Sequence, residues 1–252
     1  MPTKPRRAGS GSIPLDAPWR WVAEGWNDLT RAPAISLGYG AAVALAGWAL
    51  TSAVLFFESL SLVLPLAAGF MLVGPMLAVG LYEVSRRLEA GEPVELRAVA
   101  LVVTRSPVQL AFMGVLLALF FLAWQRFALI LFALFFGARA VPPLEDWIGI
   151  LFFTPEGLLF LAVGTAVGGV LATLVFAASA ISIPILMAEP TDAVTAIARS
   201  VAAVIENPKP MLLWAWLIVL LIGFGIVTLY VGLIVTFPLV GYATWRAYRE
   251  FA

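Results

Sequence analysis

Glu83, Arg86 and Arg87 stand at i, i+3 and i+4, where one carboxylate can meet two guanidinium groups on a single helix face. Two chemistries follow from that spacing. One is an ion pair that ties off a helix end; the other is a charged gate or lipid-headgroup site, with Arg249 as the matching cation near the other end of the chain. Other chemistry is sparse. The chain has no cysteine and no histidine, which removes thiol nucleophiles, thiolate and imidazole metal ligands, haem ligation by histidine and the usual neutral-pH proton shuttle. No phosphate-binding loop, nucleophile elbow, metal-ligand spacing or pair of deep carboxylates is present. No catalytic, metal or cofactor residues are expected, and so no enzyme.

The elements carrying these charges are apolar. Hydrophobic residues make up 62% of the 252 positions and charged residues 12%, and mean hydropathy is +1.01. A soluble domain of this length cannot hide that much apolar surface. The runs are continuous rather than alternating, so the reading is an all-α polytopic membrane bundle and not a β-barrel. Six spans are expected: 34–57, 61–87, 107–136, 154–187, and two between Met211 and Trp245. The last pair has no polar loop, only a turn between Leu229 and Gly232, so one long broken helix is the alternative.

Three copies of one module are legible. Each has an amphipathic elbow, a proline junction (Pro33, Pro107 or Pro208) and two spans, giving modules 18–92, 93–189 and 190–252 within a single domain, 18–252, after a flexible tail at 1–17. Two spans per copy make them parallel repeats about the membrane normal. Apolar positions 14, 11, 7 and 4 before the proline are Trp19, Val22, Trp26 and Leu29 in the first elbow. They are Val194, Ile197, Val201 and Val204 in the third, and Pro93, Leu96, Ala100 and Val103 in a weaker second copy. The first elbow, with Asp16 as its cap, should lie along the membrane surface or pack on the helix ends. Asp28, Glu206 and Asn207 read as caps and elbow contacts.

Of the 15 basic residues, all but Arg126 and Arg139 fall on one side of a six-span layout. The positive-inside rule then puts both termini in the cytoplasm, in a bacterial inner membrane, with 139–153 outside. The middle helices, about 30 residues or about 45 Å long, overshoot a hydrocarbon core of about 30 Å. Phe127, Phe132, Trp147 and Phe152 are therefore the candidate interface. Partners expected are the lipid bilayer and a membrane protein or complex, and not nucleic acid. The function expected is a non-enzymatic scaffold, accessory subunit or assembly factor; the alternative is a transporter or permease for a small or lipophilic solute.

The motifs Gly25 to Leu29, Pro33 to Gly40, Ala68 to Gly74-Pro75, Gly80-Leu81-Tyr82-Glu83, Ser85 to Glu89 and Gly241 to Arg249 resemble a bacterial family of predicted integral membrane proteins catalogued as domain of unknown function 2189. The resemblance implies an integral membrane fold and carries no established activity. It also implies histidines in the last motif, where Tyr242 and Arg246 stand here. Some relatives are likened to an oxidase subunit, and a chain without histidine cannot ligate haem in that way.

Overall fold

The computed structural model describes residues 13–56, 74–100, 106–137 and 144–252, and these are helical with no strand among them. The helices are α1 (Ala17–Arg31), α2 (Pro33–Phe56), α3 (Val79–Ala90), α4 (Leu96–Ala100), α5 (Pro107–Phe136), α6 (Leu144–Phe153), α7 (Pro155–Ser179), α8 (Ser182–Ala188), α9 (Ala193–Glu206), α10 (Pro208–Val227) and α11 (Leu233–Phe251). The N-terminal tail before 13, Glu58 with the start of the expected second span, Arg105 and Arg139 lie outside the described residues.

Among the described residues, four stretches are long and apolar enough to cross a membrane: Pro33–Ala53, Pro107–Phe136, Pro155–Ala188 and Pro208–Val227. Helices apolar on every side must be covered by protein or by lipid. The four divide on this point. A third of the most apolar window of α10 is buried in the protein, but only 6% of that of α5. The organising element is α11, which packs on α1, α2, α3 and α10. Twelve of its 19 residues are buried, among them Phe237, Tyr242, Trp245 and Tyr248. Gly40 makes the closest approach to it. A Cβ at Gly40 would collide with the backbone of Ile234, so a side chain there would force α2 and α11 apart.

The proline junctions share one conformation. Ala32, Ser106 and Asn207 have φ/ψ of −130°/56°, −135°/64° and −126°/57°. Proline drives the residue before it out of the helical region, which ends one helix and starts the next at an angle. In each copy the junction carbonyl then accepts the first turn of the span, from the N–H of Ser36, Leu110 or Met211.

In the first and third elbows the protein-facing stripe lies about one residue of rotation from the apolar stripe read in the sequence, which, Leu29 apart, is left partly or fully outward. In α1 the protein-facing stripe is Pro18, Trp21, Gly25 and Asp28, while Trp19 and Trp26 are 57% and 50% exposed. In α9 it is Ala193, Ala196, Ser200 and Ala203, with Val194 exposed. Both stripes fall 15, 12, 8 and 5 residues before the proline. In α9 small residues pack against the bundle because they let backbones approach, whereas in α1 Trp21 and Leu29 are buried beside Gly25. Asp28, expected as a cap or elbow contact, is completely buried. Asp16 occupies the cap position of α1 but makes no side-chain capping bond. Of the middle elbow, α4 is a five-residue helix, with Val99 buried and Leu96 exposed.

The breaks are local. Ala78 interrupts the helical residues 74–77 and α3, three residues after Pro75. The apolar stretch from 155 breaks at Ala180 and Ile181 before α8. The freed Ile181 N–H is taken by Ser200 Oγ of the third elbow at 3.2 Å. Between α10 and α11 the chain turns back through Leu229 and Tyr230, both at positive φ, 54° and 68°. Thr228 Oγ1 accepts the Gly232 N–H at 2.9 Å. The two helices pack on each other, so this segment is a hairpin and not one long broken helix.

Candidate functional site

Three features could carry function: the charged end of the bundle, the α5–α7 hairpin and an apolar crevice. At the charged end, α3 points Glu83 at both of its arginines. Glu83 Oε2 accepts from Arg86 Nε at 2.7 Å and Oε1 from Arg87 Nε at 2.6 Å. Arg86 also reaches Glu92 at 2.9 Å, and Arg87 donates to the Pro93 carbonyl at 3.1 Å. The Glu83 side chain is 6% exposed. The three residues thus form a closed tie across the C-terminal turns of α3.

Arg249 is not with them. It is 3.4 Å from Glu89, in a second network centred on Asp28. Arg246 embraces Asp28 at 2.6 Å and reaches Glu89 at 2.7 Å. Ser85 Oγ donates to Asp28 Oδ2 at 2.8 Å. A buried carboxylate demands full compensation, and Asp28 has it from a guanidinium and a hydroxyl on two other helices. Asp28 and Arg246 are the residues that sequence reasoning did not pair. The available signal was Arg246 itself, standing with Tyr242 where the resemblance implies histidines. Both turn toward the first module, because Tyr242 Oη lies 2.6 Å from Ser36 Oγ.

Two further ties close this end. Trp21 Nε1 and Arg20 both donate to the Glu250 carboxylate, at 2.7 and 2.9 Å, and that carboxylate raises the Arg20 pKa. Trp21 packs edge-on to Trp214 at 5.8 Å, worth about 0.5–1.5 kcal/mol beyond area burial. Glu189, just after α8, is gripped by Arg199 of α9 at 2.5 Å and by Tyr248 of α11 at 3.1 Å. Hydrogen bonding from Arg199 holds the Glu189 carboxyl below its ordinary value. Burial, helped by the nearby Glu189 charge, pushes the Tyr248 phenol up to about 12.

In the hairpin, Phe127 and Phe152 are 45% and 56% exposed. Phe132 is half-buried, packing on Phe136 at 5.2 Å and on Phe160 of α7 at 6.5 Å. Phe132 is therefore part of what holds α5 to α7, while Phe127 and Phe152 face outward. Trp147 lies in α6. The turn into α7 is tight. Thr154 Oγ1 caps it by accepting the Gly157 N–H at 3.1 Å, and Gly157 sits against the Ile150 carbonyl, where no Cβ fits.

The third feature was not foreseen. A crevice of about 430 Å³ lies between the modules, with Pro75 and Tyr82 on one side, Phe176 of α7 on another, and Leu212, Val219 and Phe237 of the last hairpin closing it. Three of its hydroxyls are spent. Thr173, Ser179 and Thr244 each donate to the carbonyl four residues back on their own helix, at 2.7, 2.7 and 2.8 Å. The lining is thus apolar in effect as well as in composition.

Among the described residues no group of three His, Cys, Asp or Glu could hold a metal ion. No curated protein and no solved structure matches the chain. Residues 63–188, half of the chain, match the family described as predicted integral membrane protein (DUF2189). The match takes in Glu83, Arg86, Arg87 and the α5–α7 hairpin, and leaves the Asp28 and Arg246 positions outside it. The apolar helices and this match agree, and the chain belongs to that family of integral membrane proteins.

Proposed function

We propose that the protein is a non-catalytic scaffold, accessory subunit or assembly factor of a bacterial inner membrane, docking a membrane-protein partner on the outer end of the α5–α7 hairpin. In this reading it has six spans and both termini are cytoplasmic. The observation that carries it is how little of the hairpin's apolar surface the rest of the protein covers. Helix α5 has 30 residues, about 45 Å of helix against about 30 Å of hydrocarbon, and almost none of its apolar window is buried in the protein. Lipid covers the part inside the bilayer, and a tilt of about 20° absorbs only a few ångströms of the excess. Phe127, Phe152 and Phe153, exposed on this hairpin, are the side chains offered to a partner.

Phe127→Asp with Phe152→Asp tests this, because neither ring supports α5–α7 packing as Phe132 does. The expected result in a mild-detergent pull-down is an unchanged melting temperature and loss of a stoichiometric partner seen with the wild type. The same co-purifying proteins from the variant overturn the reading. The apolar crevice favours the second reading, a permease for a lipophilic solute. Uptake of such a solute by proteoliposomes, unaffected by the phenylalanine changes, would select it.

A further inference from the structure

We propose that the crevice between α7 and α10 seats one acyl chain of an anionic phospholipid, with Lys209 at its mouth receiving the headgroup. Neither functional reading above is needed for this. The α10 wall is a single stripe, Pro208, Leu212, Ala215, Val219 and Ile222, at spacings of 4, 3, 4 and 3 residues. From Pro208 to Ile222 it runs about 21 Å along the helix. One leaflet of the hydrocarbon core is about 15 Å deep, half of about 30 Å, so the stripe is long enough for one chain lying along the bilayer normal.

The crevice also opens where a lipid could enter. Leu212 and Val219 are 63% and 46% exposed although they line it. Ala172 and Thr173 on the α7 wall are exposed too. In a membrane protein these positions open sideways into hydrocarbon, not into water. With the Thr173, Ser179 and Thr244 hydroxyls bonded to their own helices and Tyr82 almost fully buried, a methylene chain loses little there and a charged solute gains little. Among the described residues no charged side chain lines the crevice, and Glu206 and Lys209 stand exposed beside its Pro208 end. Pro208 begins a candidate span, and the next residue, Lys209, is exposed in that first turn. A lysine at the level where a span leaves the hydrocarbon complements a phosphate headgroup.

The test uses the full chain in phosphatidylcholine nanodiscs. One set holds a small share of phosphatidylglycerol with a diazirine midway along one acyl chain, and a second holds phosphatidylcholine labelled in the same way. After irradiation, adducts are mapped by mass spectrometry. The expected result is adducts concentrated at 172–180 and 212–222, reduced at least fivefold by Ala215→Trp, which fills the crevice. Ala172→Phe serves the same purpose from the other wall should Ala215→Trp not fold. Phosphatidylglycerol should label the crevice more strongly than phosphatidylcholine, and Lys209→Gln should abolish that preference while leaving the adducts in place. Adducts spread evenly over outward positions such as Leu119, Leu134 and Phe224, or undiminished by filling the crevice, overturn the seat. Localised adducts with no headgroup preference overturn the part assigned to Lys209. A copurifying protein crosslinked to the same stripe would give the crevice to a partner helix and overturn the lipid assignment.

Discussion

Asp28 and Arg246 illustrate what the charged side chains do in this molecule. The pair bridges α1 and α11, and Ser85 of α3 joins it. Removing one partner strands the other. Breaking a buried pair costs about 3–5 kcal/mol, and Asp28→Ala should fall at the lower end because Arg246 keeps Glu89. Asp28→Leu combined with Arg246→Met should be less damaging than either single charge removal, since no buried charge is then left alone. Thermal melting of the detergent-solubilised protein measures this. Additive losses in the double variant would mean that the two side chains act independently. Sequence reasoning placed Glu83 with Arg86 and Arg87 because all three lie within five residues. It could not place Asp28 with Arg246, because 218 residues separate them and nothing local couples the two.

At the scale of elements, the proline junctions were legible because their cause is local: a proline constrains the residue before it wherever it occurs. The buried faces of the elbows were not. Apolar size predicts which face leaves water, but here the bundle-facing stripe includes Gly25, Ala196, Ser200 and Ala203, chosen for closeness and not for hydrophobicity. Glu189 makes a testable link between elements, joining the end of α8 to α9 and α11. Arg199 keeps its carboxyl below the ordinary value, so the tie is fully formed above the usual carboxylate range, near about 4.3. Its contribution is lost as pH falls through the lowered native value. Glu189→Gln should lower the melting temperature at neutral pH and flatten its decline toward pH 3. A parallel downward shift at every pH would show that the carboxylate has no special part in acid sensitivity.

For the molecule as a whole, the apolar composition announced a membrane bundle, while its lopsided assembly depended on contacts that no local pattern reports. The helices α1 and α11 share the centre, and the middle hairpin leaves most of its apolar length uncovered by protein. The expected orientation can be read in this cysteine-free chain by placing single cysteines at Ser10 and Gly149. An impermeant thiol reagent added to intact cells should label Gly149→Cys and leave Ser10→Cys untouched until the membrane is opened. Labelling of Ser10→Cys in intact cells would invert the layout.

The placement of α11 also sets an order of assembly. Ribosomes add about 5–20 residues each second, so the 218 residues between Asp28 and Arg246 take about 10–40 s to synthesise. Through that interval α1 and α2 are complete but lack the helix that covers them, with Asp28 awaiting its counterion and Trp21 its partner in α10. Emergence of α11 is therefore the event that consolidates the bundle, and nascent chains stalled before Leu233 should be substrates for membrane quality control while chains carrying α11 escape it.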